Sequence, residues 1–375
     1  MTRPKGGVIN PRNTLENDRL FIVIERKQTG RVRVTLKDLA RDLGMSVSTV
    51  SRAFDPDAVI AVKTRQAVLK RAAALEYRPN PFARSLITNK TQIVGVVVSD
   101  LTNPFYPEVM TNLTGLLREA GMNVMLAAAD QPDKIDDAVE LLLMYQPDLI
   151  IVLATHLASR ALAKCEQAGA PCIFFNRLSS NGQGFGVSCD NEAGGRIVAD
   201  YLIDQGHRSL AYVSAFSDAS TNVERQRGFC ERAIARELEP PQIITAGEFT
   251  YEAGYAAGHA AADLPKDIDG IFCANDIVAI GVIDGLKEAR GVRVPDDVSV
   301  IGFDNIAMAG WASHRLTTVA QPVNEMIAAT VELARKLTID HHLAPHIMRL
   351  PPGTVIERST TRERIYTEEG INDKR

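Results

Sequence analysis

Residues 35–54, TLKDLARDLGMSVSTVSRAF, divide into two short helices. The first half repeats apolar residues at helical spacing, which predicts one buried face made of Leu36, Leu39, Ala40 and Leu43. Thr35 is a suitable N-cap, with Asp38 three residues on as its acidic partner. Gly44 then ends the helix, because glycine readily adopts the left-handed conformation of a tight turn.

The second helix follows after a cap at Ser46, and its inner face holds Val50 and Phe54. Small polar residues and one arginine remain on or near its outer surface: Val47, Ser48, Thr49, Ser51 and Arg52. Two helices joined by a glycine turn are typical of a helix-turn-helix, whose second helix enters the major groove of DNA. There hydroxyls bind phosphates or base edges, and arginine reaches guanine. This segment alone also fits a generic helical hairpin.

The charge distribution agrees with a DNA-binding end. The chain has 375 residues and a formal net charge of −4. Residues 1–90 carry a net charge of +10, whereas residues 91–375 carry −14. Such asymmetry indicates a segment that binds a polyanion, joined to an acidic body.

Three motifs in this region resemble the DNA-binding signature of LacI/GalR-type bacterial transcription regulators. They are SVSTVSR at 46–52, VKTRQAVL at 62–69 and YRPNPFARSL at 77–86. The middle motif lies in a predicted third helix, Thr64 to Leu75. The resemblance spans roughly residues 34–360.

The resemblance implies that Asn80–Leu86 is a hinge helix, ordered when two copies meet on DNA. Leu86 would wedge into the minor groove, since apolar side chains can unstack a base step. Ala83 would lie at the groove floor, and Arg84 and Asn80 complete the expected contacts, together with Thr35. A simple linker role for Leu86, packed on the body, stays open.

The sequence departs from the family pattern in three places. Glu76 stands where the family usually has glycine, so the third helix has to end without the residue that most easily becomes left-handed. Val47 replaces a larger polar residue and suggests contact with a thymine methyl group. Residues 1–33 form an extra segment, expected to be flexible, which is either a basic arm or an over-long start assignment.

From Gln92 onward, short Val/Ile-rich runs alternate with amphipathic stretches, which predicts parallel sheets covered by helices. Spacing alone fits either one (β/α)₈ barrel or two open sheets. The resemblance implies the second: a periplasmic-binding-protein-like body of two doubly wound parallel-sheet lobes. The expected domains are an extension (1–33), a helix-turn-helix domain (34–79), a hinge (80–90), the two-lobed body (91–360) and a charged tail (361–375). The first lobe takes about 91–189 and 322–340, and the second about 190–321 and 341–360.

Polar and aromatic residues near the ends of predicted strands suggest an effector site, because open α/β sheets bind ligands at the carboxyl ends of their strands. The residues assigned to this site, partly through the resemblance, are Phe105, Tyr106, Asn176, Arg177, Arg225, Asp276, Trp311 and Gln321. Asp276 would accept hydrogen bonds from hydroxyls, and Trp311 would cover the pocket. Two plainer roles stay open: an N-cap for Asp276 and a surface ion pair for Arg225.

Several classes of protein are disfavoured. There is no signal peptide, no membrane-length apolar run, no C-x-x-C pair and no catalytic motif. His341, His342 and His346 lack acidic or cysteine partners, so no metal is expected, and no cofactor is implied. We therefore expect a cytoplasmic homodimeric repressor that binds pseudo-palindromic double-stranded operator DNA and a small-molecule effector, such as a sugar or polyol. A purine or a phosphoprotein corepressor stays possible. The alternative is a sugar-binding protein without a DNA-binding role.

Overall fold

The computed structural model describes residues 34–55, 58–80, 85, 90–129, 134–153, 159–178, 183–261, 268–340, 343–362, 365–367 and 370–372. The chain separates into two compact units that meet in sequence at Asn80 and Pro81. The predicted N-terminal extension lies outside the described residues. No helix in the described ranges combines the length and the apolar character that crossing a bilayer requires.

The described part of the first unit contains three helices: α1 (Leu36–Leu43), α2 (Val47–Ala53) and α3 (Val62–Ala74). Its core consists of residues contributed by all three helices: Leu39, Ala40, Val50, Ala53, Val68 and Ala72. α3 begins two residues before the predicted Thr64. Arg65 fixes the loop between α2 and α3, since its guanidinium donates to the carbonyl oxygens of Asp55 (2.6 Å) and Ala58 (2.7 Å).

The first sheet of the second unit has the strand order β11-β5-β4-β3-β1-β2, and all its pairings are parallel. Its strands are β1 (Ile93–Ser99), β2 (Asn123–Ala129), β3 (Leu149–Leu153), β4 (Cys172–Phe175), β5 (Phe185–Cys189) and β11 (Ile347–Leu350). Among the described residues, this lobe has the helices α4 (Phe105–Glu119), α5 (Ile135–Leu143), α6 (Ser159–Gln167) and α11 (Val323–Ile339).

The second sheet has the order β12-β10-β9-β8-β6-β7 and is parallel except for the short edge strand β12. Its strands are β6 (Leu210–Ser214), β7 (Gln242–Thr245), β8 (Gly270–Cys273), β9 (Ser299–Asp304), β10 (Thr317–Ala320) and β12 (Val355–Ile356). Its helices are α7 (Asn191–Asp204), α8 (Ser220–Ala235), α9 (Tyr251–Ala261), α10 (Asp276–Arg290) and a 3₁₀ turn, Ala307–Gly310. The body therefore consists of two open sheets and not one barrel.

The chain passes between the lobes three times: after β5, after β10 and after β11. The third passage was expected near residue 340, with 341–360 in the second lobe, but β11 lies in the first sheet, beside β5. β11 has only four residues, IMRL, and its two central residues are exposed, so neither an alternating nor a continuous buried pattern marked it as a strand. In the tail, Ile365–Thr367 (β13) and Gly370–Asn372 (β14) pair antiparallel.

Candidate functional site

The outer face of α2 is accessible, as the sequence predicted. Val50 and Ala53 are buried on its inner face, whereas Val47 is 41% exposed and Ser48 and Arg52 are also exposed. Thr49 and Ser51 are partly buried. The Arg52 side chain makes no hydrogen bond or ion pair with any residue that the structure describes. Its guanidinium therefore keeps all its donors for a ligand.

The turn between α1 and α2 is fixed by side-chain caps. Thr35 forms a capping box with Asp38, donating its hydroxyl hydrogen to the Asp38 carboxylate (2.6 Å). Gly44 has φ +63°, and the Ser46 hydroxyl accepts the Thr49 N–H (3.1 Å). Because the Thr35 side chain serves the cap, its contribution to a DNA contact would come mainly from its position at the helix start.

Glu76 differs from the sequence-based expectation. It adopts the left-handed conformation itself, with φ +50°, although it carries a β-carbon. Its N–H donates to the Ala73 carbonyl (3.2 Å), and the Tyr77 N–H donates to the Ala72 carbonyl (2.9 Å). This pair of bonds is the Schellman pattern that usually requires glycine, so α3 does end with a left-handed cap.

The expected hinge residues are only partly described. Asn80 is exposed at the end of the first unit. Ala83, Arg84 and Leu86 lie outside the described residues, and their assignment stays a prediction.

In the body, four of the expected effector residues follow β1 and β4 of the first lobe and are almost fully buried: Phe105, Tyr106, Asn176 and Arg177. The rings of Phe105 and Tyr106 meet edge to face, 5.4 Å apart. Asn176 has φ +69°, and its Oδ1 has no hydrogen-bond partner among the described residues. The Arg177 guanidinium lies 4.2 Å from the centre of the Phe249 ring, which belongs to the second lobe. Burial raises the pKa of the Tyr106 hydroxyl, and the nearby positive charge of Arg177 opposes this rise.

Arg225 is 2% exposed and is not the surface ion pair considered above. Its guanidinium donates to the Asn191 side-chain oxygen (2.9 Å), the Ala274 carbonyl (2.6 Å) and the Asp304 carboxylate (3.3 Å). It also lies over the Phe303 ring, 3.8 Å from the ring centre. Arg225 is thus held rigidly, with one side on an aromatic face and its donors fixed by protein oxygens.

Asp276 is completely buried and its carboxylate is already occupied. It accepts hydrogen bonds from the Thr318 hydroxyl (2.5 Å) and the Ile306 N–H (2.9 Å). Burial, followed by repulsion from Asp304, raises its pKa to about 7. The N-cap of α10 is the neighbouring Asn275, whose side chain accepts the Val278 N–H. Asp276 is therefore not that cap, and it is not among the residues that line the cavity described next.

A cavity of about 190 Å³ lies where the start of α4 approaches the segments that follow β9 and β10. Its wall consists of Phe105, Glu108, Val109, Asp304, Asn305, Ile306, Gln321, Val323, Asn324 and Glu325. Carboxylates and amides supply most of its polar atoms, and lysine and arginine do not line it. Of the eight expected effector residues, only Phe105 and Gln321 line this cavity.

Asp304 is the acidic residue that the sequence analysis did not assign to the site. It ends β9, has φ +123°, and accepts hydrogen bonds from Arg225 and from the Gln321 side-chain amide (2.7 Å). Burial raises its pKa, whereas Arg225 lowers it. The available signal was the sequence GFDN at 302–305, a polar pair directly after an apolar strand. Backbone strain of this kind concentrates at functional sites.

Trp311 does not cover this cavity. It follows the 3₁₀ turn, is 54% exposed and stacks on His314 with 6.4 Å between ring centres. Gln321, in contrast, is 7% exposed, and its Oε1 has no partner among the described residues. A buried acceptor beside a cavity is available to a ligand that donates a hydrogen bond. Within the described ranges, no cluster of three or more His, Cys, Asp or Glu side chains fits a metal ion.

Comparison with known proteins gives matches for both units. Residues 35–80 match the family model described as bacterial regulatory proteins, lacI family, and residues 199–361 match a periplasmic binding protein-like domain. Catabolite control protein A of Priestia megaterium is 30% identical over 332 residues, which cover 88% of this chain and 100% of that protein. A structure of the transcriptional regulator CelR–cellobiose complex is 28% identical with a TM-score of 0.67, covering 88% and 100% of the two chains. The Lac repressor dimer bound to operator and the anti-inducer ONPF shares the fold, with a TM-score of 0.77 at 23% identity over 88% and 99%.

Proposed function

The chain belongs to the lacI family of bacterial regulatory proteins, and from this membership we propose that it is a repressor whose affinity for operator DNA is controlled by a small-molecule effector. The family consists of DNA-binding regulators of transcription and not of enzymes. The observation that carries the proposal is the outer face of α2, where Val47, Ser48 and Arg52 are exposed. A helix with small side chains and an unengaged arginine suits close contact with base edges in the major groove.

The proposed DNA contacts are those expected from the sequence. The major groove would be contacted by Val47, Ser48, Thr49, Ser51 and Arg52. Leu86 and Ala83 would enter the minor groove, Arg84 would contact the DNA backbone or bases, and Asn80 completes the set. Thr35 would place the first N–H groups of α1 beside a phosphate, which helix N-termini bind well. The chain would act as a homodimer in the cytoplasm, since a two-fold dimer matches a pseudo-palindromic operator.

The proposed effector is a sugar or polyol. Asp304 and Gln321 offer oxygen acceptors in the cavity, and Phe105 adds an apolar wall, which together suit a ligand with several hydroxyl groups. A carbohydrate is also the ligand named in the structure of the CelR–cellobiose complex. Glu108 and Glu325 line the cavity without a basic neighbour in its wall, which disfavours phosphorylated ligands.

The test of DNA binding is a gel-shift assay with upstream genomic fragments at two salt concentrations. We expect a fragment-selective complex that weakens as salt rises, because phosphate contacts release counterions. Arg52→Ala should abolish the selectivity and leave the thermal stability unchanged. Equal binding to every fragment at moderate salt would contradict the repressor proposal.

The test of the effector is a thermal-shift screen against neutral, amino and phosphorylated sugars and free purines. Native-state binding raises the melting temperature. A shift with a neutral or amino sugar that disappears in Gln321→Leu supports the proposed site. A shift confined to purines or to phosphorylated sugars contradicts the proposed ligand class.

A further inference from the structure

An ion pair outside the cavity joins the two lobes. Arg349 lies on β11 of the first lobe, and Glu224 lies on α8 of the second. The guanidinium donates two hydrogen bonds to the carboxylate, at 2.9 and 2.8 Å. The Glu224 side chain is 12% exposed and that of Arg349 is 42% exposed. This bidentate geometry at a partly buried carboxylate is more directional than an ordinary surface pair.

The contacts of Glu224 continue inward to Asn191. The Asn191 side-chain nitrogen donates to Glu224 (3.4 Å) and to the Cys189 carbonyl (3.1 Å). Its side-chain oxygen accepts the Nε–H of Arg225 (2.9 Å). Asn191 is completely buried, so this one amide connects the carboxylate of the ion pair with the guanidinium beside the cavity.

From Arg225 the same network reaches the cavity wall. Arg225 donates to Asp304, and Gln321 donates to the same Asp304 oxygen, Oδ1. Asp304 and Gln321 both line the cavity. The hydrogen bonds thus run without a gap from the edge strand of the first lobe, through the second lobe, to the segment that crosses back before α11.

We propose that Arg349 is a positioning residue, which orients Arg225 and Asp304 at the effector cavity through Glu224 and Asn191. The network spans the lobes, so it is complete only in the lobe arrangement of this structure. This arrangement fixes the groups that meet the effector, and by reciprocity an effector held by Asp304 favours this arrangement. The inference rests on the proposed function for its role in regulation, but the network itself is testable without DNA or effector.

The test is hydrogen–deuterium exchange of the full chain, comparing wild type with Arg349→Gln and the milder Arg349→Lys. Coupling energies of ordinary size predict about two- to thirty-fold faster exchange in Arg349→Gln at residues 304–306 of the second lobe. Residues 189–193 are not used as a readout, because the Asp190 N–H donates to the Leu350 carbonyl of β11 itself. Arg349→Lys should give a smaller increase, because lysine keeps the charge but not the two-pronged geometry. Exchange in β1 serves as the internal reference for global unfolding.

Two further variants make the result decisive. Arg293→Gln removes an ion pair with Asp297 within the second lobe and should leave residues 304–306 unchanged. The exchanged pair Glu224→Arg with Arg349→Glu should re-form the ion pair but leave residues 304–306 exchanging faster than in wild type, because arginine at position 224 cannot accept the Asn191 amide hydrogen. If faster exchange in Arg349→Gln is confined to β11 and α8, or appears equally in β1, the positioning role is overturned. Neither outcome bears on whether the chain binds DNA, so the two proposals fail separately.

Discussion

The Thr318 hydroxyl donates to the Asp276 carboxylate over 2.5 Å, and both side chains are completely buried. The other carboxylate oxygen accepts the Ile306 N–H. Asp276 thus ties β10, α10 and the segment after β9 together behind the cavity. A carboxylate in this position, with Asp304 nearby, has a pKa of about 7.

This pKa predicts a pH-dependent stability that Asp276→Asn removes. The unfolded carboxyl has a pKa of about 3.9, so between about pH 4 and 7 the folded state binds more protons than the unfolded state. The contribution of protonated Asp276 to folding stability is therefore complete below about pH 4 and is lost as the pH rises through 7. The unfolding free energy of Asp276→Asn, measured relative to wild type, should therefore increase by roughly 2 kcal/mol when the pH rises from 5 to 8. Urea denaturation at the two pH values measures this gain.

The exposed Glu239 provides the control for this measurement. Glu239→Gln should show the same stability difference from wild type at both pH values. A constant difference for Asp276→Asn as well would mean that Asp276 is ionised at pH 5 in the folded protein.

The left-handed residue Glu76 predicts that Glu76→Gly stabilises the first unit. A β-carbon at φ +50° costs about 1–2 kcal/mol, and part of this gain is offset by the greater backbone entropy of glycine. We expect a net gain of about 1 kcal/mol, seen as slower amide exchange in α3 of the full chain. Glu76→Ala keeps the β-carbon but removes the charge, and it should give no such gain. If amide exchange in α3 slows equally in both variants, the stabilisation comes from removing the charge and not from relieving the backbone.

The close packing of α7 on α8 predicts opposite effects for two glycine-to-alanine substitutions. A β-carbon at Gly195 would overlap the Arg225 carbonyl and the Phe229 backbone nitrogen, so Gly195→Ala has to push the two helices apart. We expect a loss of about 2 kcal/mol and a displacement of Arg225. Gly115 in α4 has open space around it, and Gly115→Ala should gain about 0.5–1 kcal/mol through helix propensity. Thermal unfolding of both variants checks the pair, and a neutral Gly195→Ala would refute the tight contact.

The exposed Val47 predicts a base preference that a shorter side chain weakens. If its methyl groups contact a thymine methyl, Val47→Ala should reduce discrimination at one position of each half-site by about 1 kcal/mol. Selection from randomised operator DNA, followed by binding titrations, measures this change. Leu69→Ala is the control, because Leu69 on α3 is exposed to a similar extent (45%) outside the proposed reading surface. Unchanged selectivity in Val47→Ala would remove this residue from the contact set.

Local features of the sequence were sufficient for much of the first unit. The two ends of α1 are set by Thr35 and Gly44, and the start of α2 is set by Ser46. Each of these residues acts within one helical turn, so residue type alone was enough to predict these helix ends. Glu76 shows the limit of such rules. Its conformation is imposed by the bonds that end α3 and by the packing of Tyr77 near Phe54, 5.6 Å between ring centres, which local propensity does not include.

The cavity was harder to predict, because its wall combines segments that are distant in the chain. Asp276 and Asp304 both lie at or just after the end of an apolar strand, and local sequence offers no basis for choosing between them. Only the tertiary structure shows that Thr318 and Ile306 donate hydrogen bonds to the Asp276 carboxylate, whereas Asp304 lines the cavity. Trp311 was expected to cover the site because it lies between the motifs at 301–305 and 316–321, but its position directly after the 3₁₀ turn leaves it exposed.

The three passages between the lobes have a consequence for synthesis on the ribosome. The first lobe needs α11 and β11, and the second needs Thr360, whose backbone carbonyl accepts the Val300 N–H (2.8 Å). Neither lobe can therefore be completed until residues beyond 345 have left the exit tunnel. The first unit needs only residues up to Asn80 and can fold far earlier. For most of its translation, a nascent chain would therefore carry a folded DNA-binding unit and two incomplete lobes.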